Sequence, residues 1–238
     1  MNPTVLYEDN HLLVLNKPVG MVSQGALPGE PSCVEWAKDY LKRKYDKPGN
    51  VFIGVVSRLD RDVSGVLVLA RTSKGAARLN EQLRGRSVEK IYWACVSANE
   101  VAKLPDAQRC EDWIVEDEAA GRMAVVDRAQ LPRGPESRGD FAALDYQTLE
   151  RLNGRALLEV KLETGRKHQI RVQLSSRGFP IVGDRRYGSR AKFSAGITLH
   201  ARRIVFRHPT RDEMLTLEAP CPAAWRELGF KLLRGSER

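Results

Sequence analysis

Short runs in which apolar residues alternate with polar ones, or stand together, recur along this chain and predict strands at 5–7, 11–16, 51–56 and 65–70, with Gly, Pro and Asn supplying the breaks. The same period continues at 88–97, 123–129, 140–150 and 156–163, where Asn153-Gly154 reads as a turn, and late strands follow at 197–207 and 214–219. Helical spacing is rarer. Ser32 with Glu35 makes a capping box for a helix over 33–44, whose Trp36, Tyr40 and Leu41 share a face. A second helix follows Ser73, turning Ala76, Leu79 and Leu83 inward. A third spans 167–176 and ends at Gly178, with Lys167 and Arg171 on a charged side and Ile170 and Leu174 on a packed one. Residues 225–233 predict a closing helix, and 131–139, with two Pro and two Gly, a flexible insertion. The chain is strand-rich.

With 238 residues and 42% hydrophobic content the chain can bury a sizeable core. No apolar run approaches eighteen residues and no leader pattern opens the sequence, so the expectation is a cytoplasmic protein that meets no membrane. Cys33, Cys95, Cys110 and Cys221 are far apart, which argues for reduced packing residues over a zinc site or disulfide framework. The net charge of +9 and pI near 9.6 suit a protein that holds a polyanion. Residues 164–190 carry seven Lys or Arg against one acid, Asp184, and form the candidate electrostatic footprint. The acidic run at 111–118 reads as a solvated edge.

Candidate chemistry concentrates at Arg58-Leu59-Asp60-Arg61, which feeds the apolar strand at 65–70. Alone, such an acid is usually a turn residue or a surface ion-pair member. Here two guanidinium groups flank it and favour its anion, which suits nucleophilic or base work. Tyr92 alternates against Ile91 and Trp93, and by itself is most often a core tyrosine. Arg171, by itself, could meet phosphate or water.

The loop from Ser57 to Ala70 closely resembles the signature of the RluA-type pseudouridine synthases. The likeness continues through Lys90-Ile91-Tyr92-Trp93-Ala94, Thr164-Gly165-Arg166-Lys167-His168-Gln169-Ile170-Arg171-Val172 and Gly183-Asp184-Arg185-Arg186-Tyr187-Gly188, in the family's order. It reaches Asn16-Lys17-Pro18-Val19-Gly20 near the start and Leu199-His200-Ala201 near the end. Ser57, Val63 and Gln173 depart from the pattern, and put substrate contacts in doubt more than chemistry.

The resemblance implies an α+β fold, a long mixed and mainly antiparallel sheet in two halves with flanking helices. It implies one catalytic domain over 1–238 without an S4-like RNA-binding module. The activity it implies is isomerisation of uridine to pseudouridine in structured ribosomal or transfer RNA. Asp60 would be the essential acid, Tyr92 would stack on the base or move a proton, and Arg171 would hold Asp60. Arg58, Arg61, Arg166 and Lys167 would contact RNA, with the Thr164-Gly165-Arg166 turn offering backbone donors. His168 is either an RNA contact or a structural hydrogen-bonder. No cofactor or metal is called for, and a monomer is expected. Two other readings are an RNA-binding factor without turnover, which would need none of Asp60, Tyr92 and Arg171 specifically, and a basic nuclease, which lacks paired carboxylates.

Overall fold

Seven consecutive buried residues, Ser64–Ala70, form the strand around which the first part of the fold is built. Its run of Val and Leu has no polar side, so it must be covered on both faces. In the computed structural model, which describes residues 2–25, 30–97, 101–131 and 139–233, the chain divides into two units. The first comprises Met1–Lys90 with His200–Ala223, the second Ile91–Leu199 with Ala224–Arg238.

In the first unit the strands are β1 (Thr4–Glu8), β2 (Leu12–Lys17), β3 (Gly54–Val55), β4 (Ser64–Ala70) and, from later in the chain, β10 (Leu199–Arg207) and β11 (Met214–Glu218). Their order is β1-β2-β4-β10-β11, with β3 against the end of β4. All pairings are antiparallel except β4 with β10, where His200 pairs with Ser64 and Ala201 with Gly65. Gly65 has φ +113° and a Cβ there would lie 2.2 Å from the Ala201 carbonyl, so only glycine lets the strands approach. Val66 and Val68 of β4, Leu12 and Val14 of β2 and Ile204 and Phe206 of β10 form one core with Leu79. That leucine comes from helix α2 (Ser73–Arg84), capped by the Thr72 hydroxyl at Gly75 N. Leu13, Leu15, Leu67 and Leu69 alternate to the other face and are equally inaccessible.

Helix α1 (Cys33–Tyr45) starts where its cap predicts, with Ser32 Oγ accepting from Glu35 N at 3.2 Å. Its buried stripe is Cys33, Ala37 and Leu41. Trp36 and Tyr40, expected on the packed side, are half-buried and stack on each other at 5.2 Å.

The second unit holds Ile91–Ser97 of β5 (Glu89–Ser97), β6 (Ala107–Asp117), β7 (Arg122–Val126), β8 (Asp140–Leu152) and β9 (Arg155–Leu162), in the antiparallel order β5-β9-β8-β6-β7. The acidic run expected at a solvated edge belongs to β6, which is paired on both sides, with β7 and with β8. Its apolar alternates decide this: Ile114 is fully buried beside Met123, Ala142, Val172 and Tyr187. Helix α3 is Gln169–Ser176, shorter than expected. Its two faces are not charged and packed, because everything from Gln169 to Leu174 is buried, Arg171 included.

Two expected elements do not form as expected. Only Gly54–Val55 of the 51–56 run pairs. The closing helix is replaced by short 3₁₀ turns at Ala223–Leu228 and Lys231–Leu233, interrupted by Gly229 at φ +82°. The insertion at 131–139 falls almost wholly outside the described residues. The fold is α+β, with a mixed and mainly antiparallel sheet in two halves.

Candidate active site

Asp60 is half-buried in the turn that enters β4, and the backbone on each side of it is fastened. Before it, Leu59 N donates to Ser23 Oγ at 3.0 Å and the same hydroxyl donates to Leu59 O at 2.9 Å. After it, Arg61 O accepts from Gly20 N at 2.8 Å and from the Lys17 ammonium at 3.1 Å. Val63 N closes the turn on Asp60 O at 3.1 Å. A carboxylate on so constrained a backbone is positioned before any ligand arrives.

Lys17 is the unexpected member. It ends strand β2 and is fully buried. Its Nζ also donates to Met21 O at 2.6 Å and Pro18 O at 2.9 Å, so three carbonyls replace water around the charge. Burial pushes its pKa down from 10.5 to about 8, against the opposing pull of the Asp62 and Asp60 carboxylates. Burial likewise pushes the Cys33 thiol up to about 11, so it packs as a neutral group.

Beyond the turn, Val63 is buried and Ser64 Oγ lies 2.8 Å from Nδ1 of the fully buried His200, whose Nε2 lies 3.1 Å from Ala219 O. Burial lowers the His200 pKa to about 4, so at neutral pH the ring is uncharged, donating through Nε2 and accepting at Nδ1. This fixes the start of β4 and hence the exit of the Asp60 turn. Arg58 is exposed, and Arg61 pairs with Glu30 at 2.6 Å on the surface.

Tyr92 lies in the second unit, on β5 opposite Val160 of β9. It is half-buried, whereas Ile91 beside it is in the core and Trp93 donates to Glu159 at 3.3 Å from the other face. Arg171, in the same unit, is 4% exposed. Its Nε and Nη2 grip Asp184 at 2.6 and 2.9 Å, and its guanidinium carbon sits 5.0 Å from the Tyr187 ring centre. Tyr187 is held in turn by Met123 N, at 3.0 Å, and by His168 Nδ1, at 2.8 Å. The Gly183–Gly188 motif thus builds a socket for the arginine. Gly183, at φ +88°, has no room for a side chain, since a Cβ would meet Gly196 O at 2.2 Å.

In the Thr164-Gly165-Arg166 turn, the backbone donors of Thr164 and Arg166 are spent internally. Thr164 N reaches Ala143 O, the Thr164 hydroxyl donates to Gln169 Oε1 at 2.7 Å, and Arg166 N donates to the same oxygen at 3.0 Å. Gln173 is fully buried, with its amide nitrogen on Asp112, Cys110 O and Ala142 O. Like Val63, it is an internal residue, so two of the three departures from the family pattern fall on packing and not on a surface that meets a ligand.

The basic segment is also less free than its sequence suggests. Four of its seven cations face acids: Arg166 with Asp140 at 3.0 Å, Lys167 with Glu116 at 2.5 Å, Arg171 with Asp184, and Arg177 with Asp112 at 2.9 Å. Two of those acids come from the run on β6, so the acidic and basic segments of the second unit neutralise one another. Arg185, Arg186 and Arg190 are exposed.

Sequence reasoning did not assign roles to Lys17, Ser23, Ser64, His200, Asp184 or Tyr187. Signals existed for two of them. Lys17 closes a strand that opens with four apolar residues, Leu12 to Leu15, and Asp184 is the single acid in a cationic stretch.

Residues 11–176 match the sequence model of the family described as RNA pseudouridylate synthase. The chain is 32% identical over 225 residues to an uncharacterized RNA pseudouridine synthase of Bacillus subtilis, covering 94% of this chain and 70% of that one. It is 35% identical over 252 residues to a ribosomal large subunit pseudouridine synthase D of Xanthomonas campestris, covering 98% and 70%. Among solved structures, human RNA pseudouridylate synthase domain containing 4 superposes with a TM-score of 0.75 at 27% identity, over 94% of this chain and 92% of that one.

Proposed function

The chain belongs to the RNA pseudouridylate synthase family, and from that premise we propose that it isomerises particular uridines of structured RNA through Asp60. The observation that carries the reading is the fastening of the Asp60 backbone on both sides, by Ser23 at Leu59 and by Lys17 and Gly20 at Arg61. A surface turn acid needs no such support.

In this account a target uridine leaves its stack, at a cost of about a few kcal/mol that is least in loops, and turns toward Asp60. Arg58, exposed beside Asp60, fills the space left behind. The Asp60 anion acts on the ribose by one of two routes, attack at C1′ or removal of the C2′ proton. The N1–C1′ bond breaks, the base turns, and C5 bonds to C1′ as the Asp60–C1′ bond breaks in the first route, or as Asp60 returns the proton to C2′ in the second. C5 then gives up its proton and N1 gains one, so the product is an isomer. Tyr92 presents a ring to the base and a phenol to the proton leaving C5. To Arg171, which Asp184 holds over Tyr187, we assign the role of favouring the Asp60 anion.

Ribosomal RNA is the favoured substrate, because several relatives are named as ribosomal large subunit pseudouridine synthases. The chemistry would suit transfer RNA as well. Nucleotide-resolution pseudouridine mapping of both RNA pools, from cells with and without the gene, tests activity and substrate together. Identical maps would sink the proposal.

A further inference from the structure

Only one of the 11 residues from Lys42 to Phe52, Val51, is buried, and nine of the other ten are consecutive and exposed up to Asn50. They carry Lys42, Arg43, Lys44 and Lys47 against one acid, Asp46. Unlike Arg166, Lys167, Arg171 and Arg177, the side chains of Lys42, Arg43 and Lys47 have no acidic partner among the described residues. Within the segment lie Tyr45, 46% exposed, and Phe52, 51% exposed, two of the four large apolar side chains that stand out most among the described residues. Two exposed aromatic rings interleaved with cations present the flat faces and positive charge that suit a single nucleic-acid strand.

The tyrosine is held ready. Its hydroxyl donates to Glu8 Oε1 at 2.6 Å, and Glu8, itself nearly buried, also takes Tyr40, Lys44 and Arg71. Lys44 and Lys47 ammonium groups lie 5.6 and 5.9 Å from the ring centre, and the Arg71 guanidinium carbon lies at 4.8 Å. One carboxylate thus fixes a ring and two of the three cations around it, Lys44 and Arg71, on the outside of the first unit. Fixing both in advance lowers the ordering cost of a ligand.

From this we propose that the segment 42–52 is an accessory contact for single-stranded nucleotides of the substrate RNA, with a base stacking on Tyr45 and phosphates meeting Lys42, Lys44 and Lys47. The inference rests on the RNA-modifying reading but concerns grip and not chemistry. Stacking platforms interleaved with cations bind single strands with little sequence preference, because every base offers a ring face. The surface therefore adds affinity for unpaired stretches near the target and leaves the choice of uridine to the pocket.

The test is fluorescence anisotropy with a labelled oligouridylate of about 20 nucleotides and with a duplex RNA of the same charge. Tyr45→Ala should weaken oligouridylate binding about tenfold, the size of one lost stacking contact, and should leave duplex binding within about twofold. Tyr45→Phe, which keeps the ring and loses only the bond to Glu8, should retain most of the affinity. Phe52→Ser provides a second exposed aromatic whose removal spares the Glu8 cluster, and it should show the same preference for the single strand. Lys42→Glu with Lys47→Glu should weaken both probes and flatten the salt dependence. Saturated turnover on a modified RNA should be unchanged in all four variants. Wild-type oligouridylate affinity in both aromatic variants would overturn the stacking surface. A wild-type protein that binds with this pattern yet forms no pseudouridine would instead overturn the functional reading and leave the surface standing.

Discussion

Replacing Lys17 by Met separates the positioning of Asp60 from the stability of the fold. The fall of the Lys17 pKa from 10.5 to about 8 means that folding disfavours the ammonium over the amine by about 3 kcal/mol. The folded pKa lies below the unfolded one, so this penalty is fully present below pH 8. It fades between about pH 8 and 10.5, where the unfolded chain still binds the proton and the folded one does not. Lys17→Met removes the penalty but leaves the Pro18 and Met21 carbonyls unpaired, at about 1–3 kcal/mol each, while Arg61 O keeps Gly20 N. The terms nearly cancel, so the variant should melt within about 8 °C of the parent. Turnover should not survive so well. The Asp60 turn loses one of its anchors and a neighbouring positive charge, and a displacement of about 1 Å in a reacting group can cost about 100-fold in rate. The assay is tritium release from RNA labelled at uracil C5, at saturating RNA, from pH 6 to 10. The parent should lose about tenfold in rate between pH 7 and 9 as Lys17 discharges, and the Met variant should be slow throughout and lack that limb. A Met variant with parental rate and an unaltered alkaline limb would refute the reasoning.

Three further outcomes follow from the second unit. Arg171→Met strands Asp184, which is 1% exposed, and should cost about 3–5 kcal/mol by thermal or urea denaturation, whereas Arg171→Met with Asp184→Leu should recover much of the stability but not the turnover. Recovered turnover in the double variant would remove Arg171 from the chemistry. Tyr92→Phe should fold and bind RNA like the parent, since a single lost phenol hydrogen bond costs about 1 kcal/mol, yet turn over poorly; parental turnover would leave Tyr92 a stacking residue. RNA affinity should fall with salt, and Arg185→Gln with Arg186→Gln should reduce the log–log slope by about 1.5, whereas Arg177→Gln, whose guanidinium already faces Asp112, should leave it unchanged. Equal effects of the two changes would show that internal pairing does not decide which cations meet RNA.

Much of the first unit was legible from local pattern, because its strands and helices are set by short-range rules. The Val and Leu run of β4, the Ser32 and Thr72 caps and the alternation of β2 each need only neighbouring residues to be understood. The missed strand β6 shows where this stops. Its acids hid the apolar alternates Cys110 and Ile114, and those acids are tolerated because Lys167 and Arg177, more than fifty residues on, neutralise two of them. Helical spacing put Arg171 on a charged side, but it is buried with Asp184, thirteen residues on. The Asp60 motif was visible in sequence, but the groups that fasten it were not. Lys17 and Ser23 act across about forty residues, and His200 reaches Ser64 from the far end of the chain. Contacts of that span depend on topology, which no local pattern encodes.

The most direct test of the central claim is Asp60→Asn, which keeps the size and backbone ties of the residue and removes only its anion. Cells lacking the gene would be supplied with either the parent or the Asn form, and pseudouridine would be mapped across their ribosomal and transfer RNA. The account predicts that the parent restores one or a few sites, that the Asn form restores none, and that the purified Asn protein binds the same RNA within about twofold of the parent. Restoration of those sites by the Asn form would contradict it.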